Sequence, residues 1–127
     1  FQQCLITMKD MPELTSEDEV ENLVREFLVH GHELSEMCRI FREYWAISTR
    51  NDVIQQYVVE YYQSYYKIIA EKFRPVAVSE KALSQAISIF IPYVEGYSVT
   101  ASALPNKLDS NSFLIKTVIW KCLKEEF

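Results

Sequence analysis

Only two glycines, Gly31 and Gly96, and four prolines, Pro12, Pro75, Pro92 and Pro105, punctuate the 127 residues. Tight turns draw on these residues, because glycine supplies backbone conformations closed to other residues and proline fixes its own. A fold of many short strands needs far more of them, so a few long helices are left. Hydrophobic residues make up 49% of the chain and charged residues 24%, which is the balance of a globular domain and not of a disordered one. The length suits one domain with its own core. Residues 1–127 therefore read as a single all-α unit, a bundle of about five to six helices, in which 1–15 form the end of a linker helix and a loop.

Start signals divide the chain. Ser16 followed by Glu19 has capping-box spacing, and Glu17 and Asp18 suit the positive end of a helix dipole. Val20, Leu23, Val24 and Phe27 then recur at helical spacing, with Gly31 as the expected terminator. A second helix carries Leu34, Met37, Cys38, Phe41, Tyr44, Trp45 and Ser48 on one stripe and ends near Arg50. Asn51-Asp52 turns the chain and starts the next helix, Val53 to Phe73, which Pro75 closes. Ser79 and Glu80 open a fourth long helix to about Leu104, bent at Pro92, and Asp109 or Ser110 caps the last one.

Several functions are excluded at this point. The net charge is −5, from 18 acidic and 13 basic side chains, and no dense Lys/Arg run is present, so this stretch does not itself grip nucleic acid. Cys4, Cys38 and Cys122 are too scattered for a disulfide framework or a CxxC metal site, which points to reduced thiols in the cytoplasm. His30 and His32 flank Gly31; a metal site would need further ligands, with Cys38 or Glu33 the nearest candidates, and imidazoles near a helix C-terminus are favourable without metal, so none is expected. No phosphate loop, GxSxG elbow or HExxH appears, so no enzyme and no cofactor is expected. Ala82 to Leu104 holds a single charge, Glu95, yet Ser84, Gln85, Ser88, Ser98, Thr100 and Ser102 make it too polar to span a membrane. The start at Phe1, without a preceding signal peptide, suggests a piece of something longer.

Two surfaces attract attention. Tyr57, Tyr61, Tyr62, Tyr65 and Tyr66 share one helix, and Phe41, Tyr44 and Trp45 share a face of the helix before it. If Phe41, Tyr44 and Trp45 meet Tyr61, Tyr62 and Tyr65, with Phe90 and Val94 as floor, an aromatic cavity for a flat or hydrophobic small molecule results. The same residues also serve as plain core. The Ala82–Leu104 helix is apolar on two sides: Leu83, Ile87, Phe90, Val94 and Tyr97 form one stripe, while Ala86, Ile89, Tyr93 and Ala103 face elsewhere. The second side is expected to meet another subunit, joined by Phe113, Thr117 and Trp120 of the last helix.

The run Phe41-Arg42-Glu43-Tyr44-Trp45-Ala46, then Arg50-Asn51-Asp52 and a long aromatic helix, then Glu95-Gly96-Tyr97, resembles the C-terminal domain of TetR-family transcriptional regulators. The resemblance runs from Ser16 to the C-terminus. Tyr44 stands where the family more often has Phe, and the N-terminal helix-turn-helix that binds operator DNA is absent. It implies a homodimer through the last two helices and a small-molecule effector held among the preceding helices. The effector would control operator DNA binding by the missing N-terminal domain, through a two-state rearrangement. The alternative is a helical protein–protein interaction module with no small-molecule ligand.

Overall fold

The computed structural model describes residues 2–33, 43–101, 103–105 and 107–126, and these contain helices and no strand. Helix α1 spans Gln2–Lys9 and α2 spans Glu17–Glu33. Residues 43–48 are helical and are labelled α3. Helix α4 spans Asp52–Phe73, α5 spans Glu80–Thr100 and α6 spans Leu108–Lys124. A 3-10 turn, Arg74–Val76, places Pro75 where no helical hydrogen bond is asked of it. Phe41 and most of the expected second helix lie outside the described residues.

Helix starts follow local side-chain chemistry. Glu19 N donates to Ser16 Oγ (3.3 Å), while the Glu19 carboxylate turns to the Thr15 hydroxyl (2.5 Å). Asn51 Oδ1 accepts from Val53 N (3.0 Å) and Ile54 N (3.1 Å), taking up donors that the first turn of α4 leaves open. Ser79 Oγ accepts from Ala82 N (3.0 Å) and donates to Glu125 Oε1 (3.0 Å), so the start of α5 is tied to the end of α6.

Three boundaries depart from expectation. Helix α2 passes through Gly31 to Glu33, because a helical glycine costs only about 1 kcal/mol. Helix α5 stops at Thr100, whose carbonyl accepts from both Ala103 N and Leu104 N in a closing turn. Helix α6 begins at Leu108, and its N-cap, Lys107, makes no side-chain cap. Asp109 sits instead in its first turn, paired with Arg25 of α2.

Helix α5 is central, packing against α2, α4 and α6. Phe90 is 1% exposed and meets Phe27 (5.2 Å between ring centroids) and Phe73 (5.4 Å), both edge-on. Val20, Val24 and Leu28 of α2, Ile69 of α4, Leu83 and Ile87 of α5, and Ile119 and Leu123 of α6 complete the core. Ala86 belongs to it as well: it is fully buried within the chain, so it packs inward and is not on the face expected to meet another subunit.

Two buried lysines tie helices together. Lys116 of α6 is 7% exposed, reaches Glu17 (3.3 Å) and Glu21 (3.5 Å) of α2, and lies 4.4 Å from the Phe113 ring centroid. Lys72 of α4 donates from Nζ to the Lys9 carbonyl (2.9 Å) at the end of α1, and its own carbonyl accepts from Leu14 N (3.1 Å). A lysine at a helix C-terminus satisfies an orphan carbonyl and the negative end of the dipole together.

Candidate functional site

The tyrosines at positions 61, 62 and 65 follow one face of α4 and form a continuous set of rings. Tyr61 meets Tyr62 (5.5 Å) and Tyr65 (6.1 Å) edge-on, and Tyr62 stacks on Tyr65 (6.4 Å, 21° between planes). Tyr65 is buried and continues to Phe27 (6.2 Å). Tyr61 and Tyr62 are half-buried and pack on the core. Five of the residues expected to line an effector cavity, Tyr61, Tyr62, Tyr65, Phe90 and Val94, thus belong to one packed assembly. Tyr65, Phe90 and Val94 are fully part of the core, which closes the expected floor.

Tyr44 and Trp45 do not join them. Both are exposed, Trp45 to 56%, so neither is buried with the Tyr61, Tyr62 and Tyr65 rings. The expectation placed their stripe inward, but α3 turns it to the surface, where every side chain from 43 to 47 is exposed. Tyr44 lines a surface cleft on the outer side of the first turns of α4.

Glu95 is the polar centre of the assembly. It is half-buried on α5 and accepts a hydrogen bond from the Tyr62 hydroxyl of α4. Burial raises its carboxyl above the ordinary carboxylate range, and the hydrogen bond from Tyr62 pulls part of the way back. Burial also raises the Tyr62 phenol well above its ordinary value, and the Glu95 charge and hydrogen bond push in the same direction. The pair is chemically suited to trade partners with a ligand that brings a hydrogen-bond donor or a positive group. Its signal was visible in the sequence as the lone charge between Ala82 and Leu104, but its partner was not.

The residues expected at a subunit contact divide. Ile89 and Tyr93 are half-buried against the core, with Tyr93 stacked near Tyr97 (6.3 Å). Thr117 donates to the Phe113 carbonyl (2.8 Å), and Trp120 lies beneath Lys124 Nζ (4.8 Å). Ala103 and Phe113 are exposed. Val99 near the end of α5, Leu104 in the turn beyond it, and Leu114 and Val118 of α6 are exposed as well. Gly96 lies on the exposed side of α5, and a Cβ placed there would touch nothing within 4 Å. Among the described residues no three His, Cys, Asp or Glu side chains converge as metal ligands, and no helix is long and apolar enough to cross a membrane.

Over 98% of its length the chain is 49% identical to a protein of Xanthobacter autotrophicus described as an uncharacterized HTH-type transcriptional regulator in the dhlA 5' region. The chain spans 63% of that protein's length. No family model and no solved structure matches the chain.

Proposed function

We propose that this chain is the effector-sensing and dimerising part of a TetR-like transcriptional regulator acting in the cytoplasm. The observation that carries the reading is the 49% identity, along nearly the whole chain, to a helix-turn-helix regulator of which over a third lies outside the matched stretch. A helix-turn-helix unit of about fifty residues fits in that remainder. The acidic charge of the chain agrees with leaving operator DNA to such a unit.

Two further features support the division of labour. The Tyr61–Tyr62–Tyr65 wall with the Glu95 carboxyl offers a small hydrophobic or aromatic effector rings to stack on and one polar handle. The exposed apolar side chains Val99 of α5 and Phe113, Leu114 and Val118 of α6 offer a second copy contact area, and Gly96 permits close approach of two helices.

The test uses the complete regulator to which the chain belongs. Its binding to DNA upstream of its own gene is measured by mobility shift, alone and with a panel of aromatic and aliphatic small molecules. Specific binding relieved or enhanced by one compound, and altered in Tyr62→Ala, supports the reading. Absence of DNA binding overturns it. A second reading, a helical protein–protein interaction module with no small-molecule ligand, draws on the complete burial of Tyr65 and Phe90. DNA binding that no compound affects, in a dimer, would favour it.

A further inference from the structure

Lys72 is almost wholly buried, about two turns beyond Tyr65 near the C-terminal end of α4. Its Nζ donates to the Lys9 carbonyl (2.9 Å), and its own carbonyl accepts from Leu14 N (3.1 Å). Both carbonyls lie in the last turn of a helix, where no donor of the same helix reaches them. One residue thus closes the ends of two helices and grips the chain on either side of Pro12. Pro12 stiffens the connection because its φ is fixed, and Leu14, 3% exposed, anchors the far end in the core.

Helix α1 is short. Its eight residues make about two turns, below the length that holds a helix together in water, so it depends on docking. It packs against α4, with Leu5, Met8 and Met11 half-buried on the core and Ile6 exposed. Its closing turn is local: Asp10 N donates to the Ile6 carbonyl (3.1 Å) and Met11 N to that of Met8 (3.2 Å). The Lys9 carbonyl is closed from another helix instead. Lifting α1 exposes partly buried apolar side chains and returns an ammonium to water. That costs far less than opening the core around Phe90.

We infer that Lys72 is a joint: residues 2–11 ride on the end of α4 and open from it as one unit, while α2, α5 and α6 stay folded. Both bonds come from α4, so α1 is held by α4 more than by α2, the helix it precedes in the chain. A displacement of the α4 end relative to α2 is then carried into α1. The inference concerns motion within this chain and does not rest on the regulatory reading.

Amide hydrogen exchange of the full chain, followed residue by residue in a series of low urea concentrations, reads the opening. The amides of α1, Asp10 and Met11 are expected to exchange together, faster than those of Phe90 and Ile119. Their exchange should depend little on urea, because little surface is uncovered. Lys72→Met keeps the stem but leaves the Lys9 carbonyl without its donor, and should speed exchange at these amides about tenfold. Lys72→Arg, which still carries a donor, should speed it less. Ile119→Val weakens the core that both the closed and the opened chain retain, so it should speed Phe90 and leave α1 unchanged. Equal acceleration of α1 and Phe90 by Ile119→Val would overturn the inference, because α1 would then open only with the whole fold. Unchanged α1 exchange in Lys72→Met, or failure of that variant to fold, would overturn it as well.

Discussion

The Tyr62 hydroxyl of α4 donates to the Glu95 carboxylate of α5, between two helices that both place apolar side chains in the core. The bond satisfies a half-buried acid that has left part of its water behind. It does not fully compensate: the net effect of the site still raises the Glu95 carboxyl, so burial outweighs the hydrogen bond.

That balance fixes the sign of a pH effect. A carboxyl whose folded value lies above its unfolded value adds stability below the ordinary carboxylate range and loses it as pH rises through the raised value. Glu95→Gln keeps an acceptor for Tyr62 but cannot ionise. The variant should match the wild type near pH 4 and exceed it in stability from pH 6 to 8, with urea midpoints at each pH as the measurement. A midpoint difference that stays constant from pH 4 to 8 would remove Glu95 as the source.

Lys116 makes a different prediction because its partners are more exposed than it is. Its ammonium is nearly buried, whereas Glu17 and Glu21 reach solvent. Lys116→Ala removes the stem packing, both ion pairs and the contact with Phe113, and should cost about 2 kcal/mol. Lys116→Met keeps the stem and should recover at least half of that loss, because the two carboxylates can hydrate. Equilibrium urea denaturation separates the two. Equal loss in both variants would assign the whole effect to charge.

What could be read from the sequence was what side chains decide locally. Ser16, Asn51 and Ser79 start helices because their oxygens reach backbone donors two or three residues on, a rule that needs no neighbours. Helix ends were less legible. Gly31 did not stop α2, and the turn after Thr100 came before Leu104, since continuation there depends on small backbone preferences. The site was half legible: the spacing of Tyr61, Tyr62 and Tyr65 put them on one face, but the rotation of α3 that turns Tyr44 and Trp45 outward is a tertiary choice. Ala86 and Lys116 show the same limit. A small apolar residue suits a core or an interface equally, and a lysine in an apolar run gives no hint that two glutamates await it on another helix.

Glu125 ends α6 in the left-handed region, at φ 54°, where glycine is the usual occupant. Glu126 N donates to the Lys121 carbonyl (2.9 Å) and Glu125 N to that of Cys122 (3.2 Å), so the cap itself is well made. The Glu125 carboxylate accepts from Ser79 Oγ at the start of α5 (3.0 Å). Glu125→Ala loses that bond and keeps the backbone strain; Glu125→Gly loses the bond and relieves the strain. The glycine variant should be more stable than the alanine variant by about 1 kcal/mol, measured by thermal or urea unfolding. Equal stabilities would mean that the left-handed turn carries no strain in solution.

Gly96 offers the sharpest test of pairing. A glycine inside a helix costs about 1 kcal/mol relative to alanine, and here no neighbouring atom within the chain requires it, because an added Cβ meets open space. If the cost is offset by a second copy packing closely on α5, the substitution has opposite effects on folding and association. Gly96→Ala should stabilise the isolated chain by about 1 kcal/mol, read from unfolding at low protein concentration. Gly96→Arg should fold equally well, since the space is open, but raise the dimer dissociation constant about tenfold or more in sedimentation equilibrium. A Gly96→Arg protein that dimerises as well as the wild type would move the subunit contact away from this face of α5, leaving the exposed Phe113, Leu114 and Val118 side of α6 to carry it alone.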